Sequence, residues 1–307
     1  MNSVFNIPNQ RSLIAIFFLL FLQCLNAPRN NKYDPDNPNK SEIGGFIYEP
    51  DSLGVPGALV DLINCADSNT ERDIADSSGY YSFTHINPGI YTIVVRNKHY
   101  KDLVFENESL WAGTKLSSYN FFLTTFHFED DEINNPPYGF TIITGDWRVV
   151  LESEDNQVLR GKDSSDGNPA ILFFRNPQRA FLLKVNLKIA PLSGENWETG
   201  VLLWYQDSLN YYCITLKKTF AQFSLVKNGI VTVFYTKLLN IAENSWHYLS
   251  SIYTGDGLLF YLDNTFLFPV SLIGRVFDNG FWGLYVASHE PGVDVTVDFD
   301  ELYLKIP

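Results

Sequence analysis

The strongest constraint on this chain is an alternation of period two, repeated in short segments that turn residues close off. In Arg179-Ala180-Phe181-Leu182-Leu183-Lys184-Val185-Asn186-Leu187-Lys188-Ile189, the polar Lys184, Asn186 and Lys188 fall on one side. Leu183, Val185, Leu187 and Ile189 fall on the other, the pattern of a half-buried strand. Residues 57–63 repeat it, with Ala58, Val60 and Leu62 opposed to Asp61. The turn clusters Asp76-Ser77-Ser78-Gly79 and Asn87-Pro88-Gly89 each feed an apolar run, and two hairpin-like connections so close together mean antiparallel sheet. Further on, 199–206 and 210–216 are joined through Asp207-Ser208, and 223–227 and 230–235 through Asn228-Gly229. No long helix-period pattern interrupts 126–307, and 24 Phe, 17 Tyr and 6 Trp favour strands. The expected fold is all-β: a small β-sandwich over 42–124, then a larger two-sheet jelly roll over 125–307.

The N-terminus decides where such a chain resides. Arg11 precedes the uncharged run Ser12-Leu13-Ile14-Ala15-Ile16-Phe17-Phe18-Leu19-Leu20-Phe21-Leu22-Gln23, which ends at Cys24. That order is the order of a signal peptide, and the run is too short to cross a bilayer comfortably. The placement of Cys24 resembles the lipobox of bacterial lipoproteins: Leu20 and Leu22 supply the expected bulk, and Gln23 departs from the usual small residue. The resemblance implies an acylated Cys24 over a signal peptide 1–24, anchored in the bacterial cell envelope. Each buried methylene contributes about 0.8 kcal/mol, so two or three acyl chains hold a protein on a membrane where one does not. Cleavage after Ala27, giving a plain secreted protein, is the alternative. Residues 25–41, rich in Asn, Asp, Pro and Lys, read as a flexible spacer.

A net charge of −13 disfavours nucleic acid and anionic membrane surfaces as partners. Loss of residues 1–24 removes one positive charge, Arg11, and no acid. Cys65 and Cys213, each in an apolar run of a different expected domain, read as two buried free thiols. No C-x-x-C or Cys/His cluster with metal spacing occurs. Asn39-Lys40-Ser41 and Asn107-Glu108-Ser109 match the glycosylation sequon.

In the first domain, Gly45…Val55-Pro56-Gly57-Ala58…Val60…Leu62 followed by Asp76…Gly79…Tyr81…Phe83…Ile86…Gly89…Tyr91 resembles the carboxypeptidase regulatory-like domain, a prealbumin-type β-sandwich. Such domains act as spacers beside a functional neighbour, so His85 and His99 are expected to be ordinary surface or turn residues. In the second domain, Asn244-Ser245-Trp246-His247-Tyr248-Leu249…Gly255-Asp256-Gly257…Leu262-Asp263-Asn264 is similar to the laminin-G and concanavalin A-like superfamily. The stretches 200–212 and 280–302 extend that likeness to most of the domain.

The superfamily includes binding modules, adhesive modules and glycoside hydrolases, so the fold alone does not select a function. A hydrolase needs two carboxylates flanking the bond, and the Glu-x-Asp-x-x-Glu strand of laminarinase-like relatives is absent. The runs Glu129-Asp130-Asp131-Glu132 and Asp298-Phe299-Asp300-Glu301 are better explained without catalysis. Related jelly rolls pin their end strands with a calcium ion, which makes Glu129 and Asp300 candidate ligands for structural Ca2+ beside the simpler reading as solvated carboxylates. His247 reads as a structural residue. The candidate binding residues are Trp204, Tyr205, Tyr211 and Tyr212, because aromatic rings stack on the apolar face of a sugar; by simple alternation, half of these rings face the core. Trp147 and Trp282 read as core. The function expected is a surface-tethered, non-enzymatic lipoprotein whose jelly roll binds glycan or an extracellular protein. A glycoside hydrolase with catalytic groups from separate strands and a purely structural envelope protein are the alternatives.

Overall fold

The computed structural model describes residues 31–306 apart from 33, 35, 164–168, 177–180, 192–195 and 291. Cys24 and the apolar run before it lie outside the described residues. The chain is all-β, and its alternating segments become strands as their spacing implies. The first sandwich contains β1 (Ser41–Tyr48), β2 (Leu59–Asn64), β3 (Thr70–Ile74), β4 (Tyr80–Ile86), β5 (Gly89–Asn97), β6 (Tyr100–Leu110), β7 (Lys115–Leu116) and β8 (Phe121–Phe122). Strands β4, β1 and β7 form one sheet with β8 also on β1, and β6-β5-β2-β3 form the facing layer. Val60 and Leu62 are buried as the alternation requires. Asp61, on the opposite face, is buried as well, because β2 lies between β3 and β5 and each neighbour supplies an arginine. Arg72 grips it with two hydrogen bonds of 2.5 and 2.8 Å and Arg96 adds an ion pair. A buried carboxylate persists only when paired in this way.

The second half of the expected spacer is held rather than loose. Lys32 lies over the Trp111 ring at 4.2 Å, Ala112 N–H donates to Lys32 O, and Gly113 N–H donates to Asn39 O. Asn37 is buried, donating to Asn31 O and accepting from Asn39 N–H, each at 2.9 Å. Asn and Asp side chains favour such local bonds, which lets a polar segment lie ordered against a turn.

The larger sandwich begins after β9 (Thr125–Phe126). It is built from β10 (Phe140–Thr144), β11 (Asp146–Ser153), β12 (Asn156–Lys162), β13 (Ala170–Phe174), β14 (Leu182–Ile189), β15 (Trp197–Asp207), β16 (Asn210–Lys217), β17 (Phe220–Lys227), β18 (Ile230–Leu238), β19 (Trp246–Tyr253), β20 (Gly257–Leu262), β21 (Thr265–Ser271), β22 (Phe281–Ser288) and β23 (Thr296–Lys305). A seven-stranded sheet in the order β10-β13-β22-β15-β16-β17-β18 faces a layer ordered β21-β20-β19-β14-β23, which β12 and β11 extend. Asn228 and Gly229, with φ of 50° and 76°, make the tight β17–β18 turn that Asn-Gly favours.

These two layers are not independent of the first sandwich. β23 pairs with β12 through Thr296–Phe299 and then with β9 through Leu302 and Tyr303, while β9 reaches β6 through Phe126 opposite Tyr100. One sheet therefore runs from the jelly roll into the first sandwich, and a single contiguous core reaches from Ile43 to Leu304, beside a smaller buried cluster of Ile171, Phe173, Leu202 and Cys213. Around the Phe126 ring stand Tyr100 at 4.6 Å, Phe140 at 5.0 Å and Phe174 at 5.9 Å. Polar ties surround this junction: Arg175 pairs with Glu49, Lys101 with Glu301, and Tyr138 donates to Glu49 at 2.9 Å. His99 is stacked on Tyr138 at 3.8 Å and bonded to Asp131 at 2.6 Å. It lies in the β5–β6 turn, in keeping with the expected surface or turn position, and its partners there belong to the junction.

Truncation of Phe126 tests whether the sandwiches share one cooperative unit. Phe126→Ala should cost about 3–5 kcal/mol and split one calorimetric transition into two; a single transition at an unchanged midpoint would show that the junction carries no load.

Candidate functional site

The seven-stranded sheet packs one face against the core, and among the described residues no sheet covers the other. Register specifies what the open face displays. Phe173 lies opposite Gly283, Gly283 opposite Leu202, and Leu202 opposite Cys213. One step along, Ile171, Tyr285, Gly200 and Thr215 form the next row. Phe281 and Tyr205 pair toward one end, and Ala287 and Glu198 toward the other. Gly283 is required there: a Cβ on it would come within 2.4 Å of the Phe173 ring and 2.3 Å of Leu172 O. Phe173 in turn lies 4.5 Å from the Tyr205 ring and 5.6 Å from Phe281, and Tyr205 stacks on Tyr211 at 5.6 Å and 24°. The result is an aromatic strip set in a patch with Ile171, Leu202 and Cys213.

A cavity marks each end of the strip. One, of about 430 Å³, is bounded by Tyr205, Gln206, Phe281 and the 276–280 loop. The other, of about 390 Å³, is bounded by Asn196, Lys217, Thr219, Phe220 and His289. Glu198 lies at this second end with its side chain 12% exposed, accepting from His289 Nε2 at 2.6 Å and Lys217 Nζ at 3.0 Å. Burial pushes the Glu198 carboxyl up, but the His289 bond and the Lys217 charge outweigh it and hold the group below its ordinary range. The same hydrogen bond raises His289 against the opposing effect of its own burial. Tyr211 and the Cys213 thiol are each pushed up to about 12, chiefly by burial, so Cys213 is a packing residue and not a nucleophile at neutral pH.

The four aromatic residues expected to bind ligand divide between the two faces. Tyr205 and Tyr211 are on the open face. Trp204 and Tyr212 are in the core, a correction to the expectation that they present a ligand surface. The cause at Trp204 is a bulge: β15 slips register between Leu202 and Tyr205, Trp204 has φ of 49°, and it follows Leu203 inward where strict alternation would send it out. There it meets Tyr212 and Trp282 edge to face at 5.5 and 5.6 Å, under the Arg275 guanidinium at 4.5 Å. Arg275 also bonds to the carbonyls of Leu272, Phe277 and Asp278, so the buried Trp204 supports the loop that walls the larger cavity. Trp147 and Trp282 are core residues, as read from their apolar neighbours.

The remaining candidates have structural partners. His247 Nδ1 bonds to Asp263 at 2.6 Å and its Nε2 to Ala242 O at 2.9 Å, so both nitrogens are engaged. Asp298 is buried against Arg160 through bonds of 2.6 and 2.9 Å. Asp300 is pushed up to about 6 by burial, opposed by the Glu301 N–H, with Glu129 and Glu301 adding to the rise. Glu129 is bonded to His127 Nδ1 at 2.5 Å. Among the described residues no group of three or more His, Cys, Asp or Glu side chains could hold a metal ion. Calcium at Glu129 and Asp300 would therefore need backbone carbonyls and water for most of its six to eight ligands. Cys65 and Cys213 are free thiols, but Cys65 is exposed where burial was expected. Glu198, Lys217, His289, Phe281 and Tyr285 were missed as site residues; strand alternation could have placed Glu198 and Tyr285 outward, but nothing in the sequence brings His289 to Glu198 across 91 positions.

No family model and no curated protein matches the chain. Solved structures similar to it include the carbohydrate-binding module CBM66 from Bacillus subtilis, at 20% identity over 55% of this chain and 96% of that one, with a TM-score of 0.43. A Bacillus licheniformis beta-glucanase is 14% identical over 60% of this chain and 99% of its own, with a TM-score of 0.43. The laminarinase catalytic domain from Thermotoga maritima is 11% identical over 60% and 97%, with a TM-score of 0.43. Such values transfer no activity; the fold rests on the strand order above.

The Glu198–His289 pair has a defined pH window. A raised histidine stabilises the fold fully below its ordinary value of 6.5 and loses the contribution as pH rises through the folded value. A lowered carboxylate contributes above its ordinary 4.5 and loses it as pH falls through the folded value. His289→Gln should therefore lower the melting temperature most between pH 4.5 and 6.5 and progressively less as pH rises through the raised histidine value. An equal loss at every pH would show that the pair is not ionic.

Proposed function

We propose that this chain is an exported, non-enzymatic glycan-binding protein whose ligand lies along the open face of the seven-stranded sheet. The observation that carries the reading is the aromatic strip of Phe173, Tyr205, Tyr211 and Phe281 between two cavities on one sheet face. Phe173 lies buried beneath the partly exposed Tyr205, Tyr211 and Phe281, whose rings offer area to the C–H face of a sugar at little entropic cost, while the hydroxyls of Tyr205 and Tyr211 and the groups at either end supply hydrogen bonds. Binding is favoured over hydrolysis by the carboxylates. Hydrolysis takes a pair about 5–9.5 Å apart. Among the described residues of the sheet's open face Glu198 is the acid set within the patch, and it is committed to His289 and Lys217.

In this reading Cys24 is lipidated and holds the protein on the bacterial envelope. The first sandwich, prealbumin-like in its motif spacing, carries the jelly roll away from the membrane, and a calcium ion at Glu129 and Asp300 pins the strand ends.

A glycan array probed with the full chain, in calcium and in chelator, should reveal binding that Tyr205→Ala and Tyr211→Ala each weaken about tenfold. Tyr80→Ala, on the first sandwich, should leave it unchanged. A signal lost in chelator and in Asp300→Asn alike supports the ion. Polysaccharide turnover abolished by Glu198→Gln would replace the binding reading with a hydrolase. Cys24→Ala should abolish acyl labelling and release the protein from membranes; a variant still acylated and membrane-bound would refute the anchor.

A further inference from the structure

The cavity at the Lys217 end of the face differs in charge from the molecule that contains it. The chain carries a net −13, yet among the described residues the charged side chains lining this cavity are the basic Lys217, Lys218 and His289, with Glu290 engaged by the lining Asn196 and Glu243 by the lining Trp197. We propose that it is a subsite for an anionic sugar unit, one bearing a carboxylate or a sulfate ester; the inference rests on the glycan-binding reading of the same face and narrows its ligand class.

The geometry separates the charges by depth. Glu198 lies beneath, its side chain 12% exposed, while Lys217 and His289 above it are 31% and 50% exposed. The carboxylate fixes both donors at 3.0 and 2.6 Å without satisfying them. Lys217 keeps two further N–H donors and His289 keeps Nδ1 for an oxyanion at the cavity mouth. Two basic groups held by one buried acid present a positive potential outward, and holding them in place beforehand removes the entropic cost of ordering a lysine at the moment of binding. Lys217 Nζ also lies 5.6 Å from the Phe220 ring, so an apolar platform and a cation stand side by side, as a charged sugar requires. Lys218 has its own acid, Glu243, at 3.8 Å, and is not needed for the inference.

The test is an array carrying neutral glucans, galactans and fructans beside uronic-acid and sulfated glycans, followed by calorimetry of the full chain with the best ligand at low and high salt. Binding should concentrate on the acidic members and weaken as sodium chloride rises, because the contact is partly exposed to screening. Lys217→Gln and His289→Gln should each cost about tenfold in affinity, the range of a lost charge-assisted hydrogen bond. Lys217→Arg should retain affinity, and a circular-dichroism spectrum matching wild type at the assay temperature for each variant excludes misfolding as the cause. Acidic against sulfated members of the array distinguish the two sources of the anion. Binding confined to neutral glycans, or acidic binding that the variants leave within twofold of wild type, would overturn the anionic subsite while leaving the face reading intact. No binding to any member would overturn both.

Discussion

The structure depends on two residues, Thr125 and Phe126, that lie in one sheet between strands from opposite ends of the chain. The last strand, β23, pairs along one edge with β12 as far as Phe299 and with β9 from Leu302, while β14 pairs along its other edge. Unpaired backbone groups in an interior strand are costly, so β23 takes a second partner shortly after its pairing with β12 stops. The consequence is that the small sandwich is continuous with the back layer of the jelly roll. A hinge between the two would break ladder bonds, expose Phe126 and separate the ion pairs of Arg175 and Lys101.

That continuity leaves the other sheet free. The back layer joins the first sandwich, and the seven-stranded sheet covers it with one face only. A sheet face without a partner layer is stable when its own side chains shield one another, and here Tyr205 on Tyr211 and Phe173 beside Phe281 bury Leu202 and Ile171 without excluding a ligand from above. The bulge at Trp204 makes this possible. By turning one large ring inward it lets the next, Tyr205, face out, and it sets the buried ring under Arg275, whose bonds to three carbonyls shape the wall of the adjacent cavity. Charge is arranged by the same economy: the acid within the patch is placed low and its cations high.

Strand existence was legible because alternation and turn chemistry act within a few residues. Leu183, Val185, Leu187 and Ile189 are buried, and the Asn228-Gly229 turn falls where its dipeptide implies. What was not legible depends on neighbours far along the chain. Asp61 was expected to be exposed and is buried because Arg72 and Arg96 arrive from both flanking strands. Trp204 and Tyr212 were grouped with Tyr205 and Tyr211 because they are aromatic and adjacent; Tyr211 and Tyr212 divide by simple alternation, but a register slip decides the sides of Trp204 and Tyr205, and alternation carries no information about a slip. His99 was read from its own surroundings, and its partner Asp131 lies 32 positions away. Local rules thus recovered the elements, while the site and the junction are products of register and long-range pairing.

The measurement that most directly tests a ligand on the open face is side-chain oxidative footprinting of the full chain with and without a bound glycan. Protection is expected at Tyr205, Tyr211, Phe281 and His289. The first sandwich carries a comparison surface in the same molecule, the ladder of Tyr80, Phe46, Tyr48 and Phe122 with ring spacings of 5.3, 5.8 and 5.3 Å, and it should remain unprotected. Protection of that ladder with none on the jelly-roll face would contradict the assignment and move the binding site to the first sandwich.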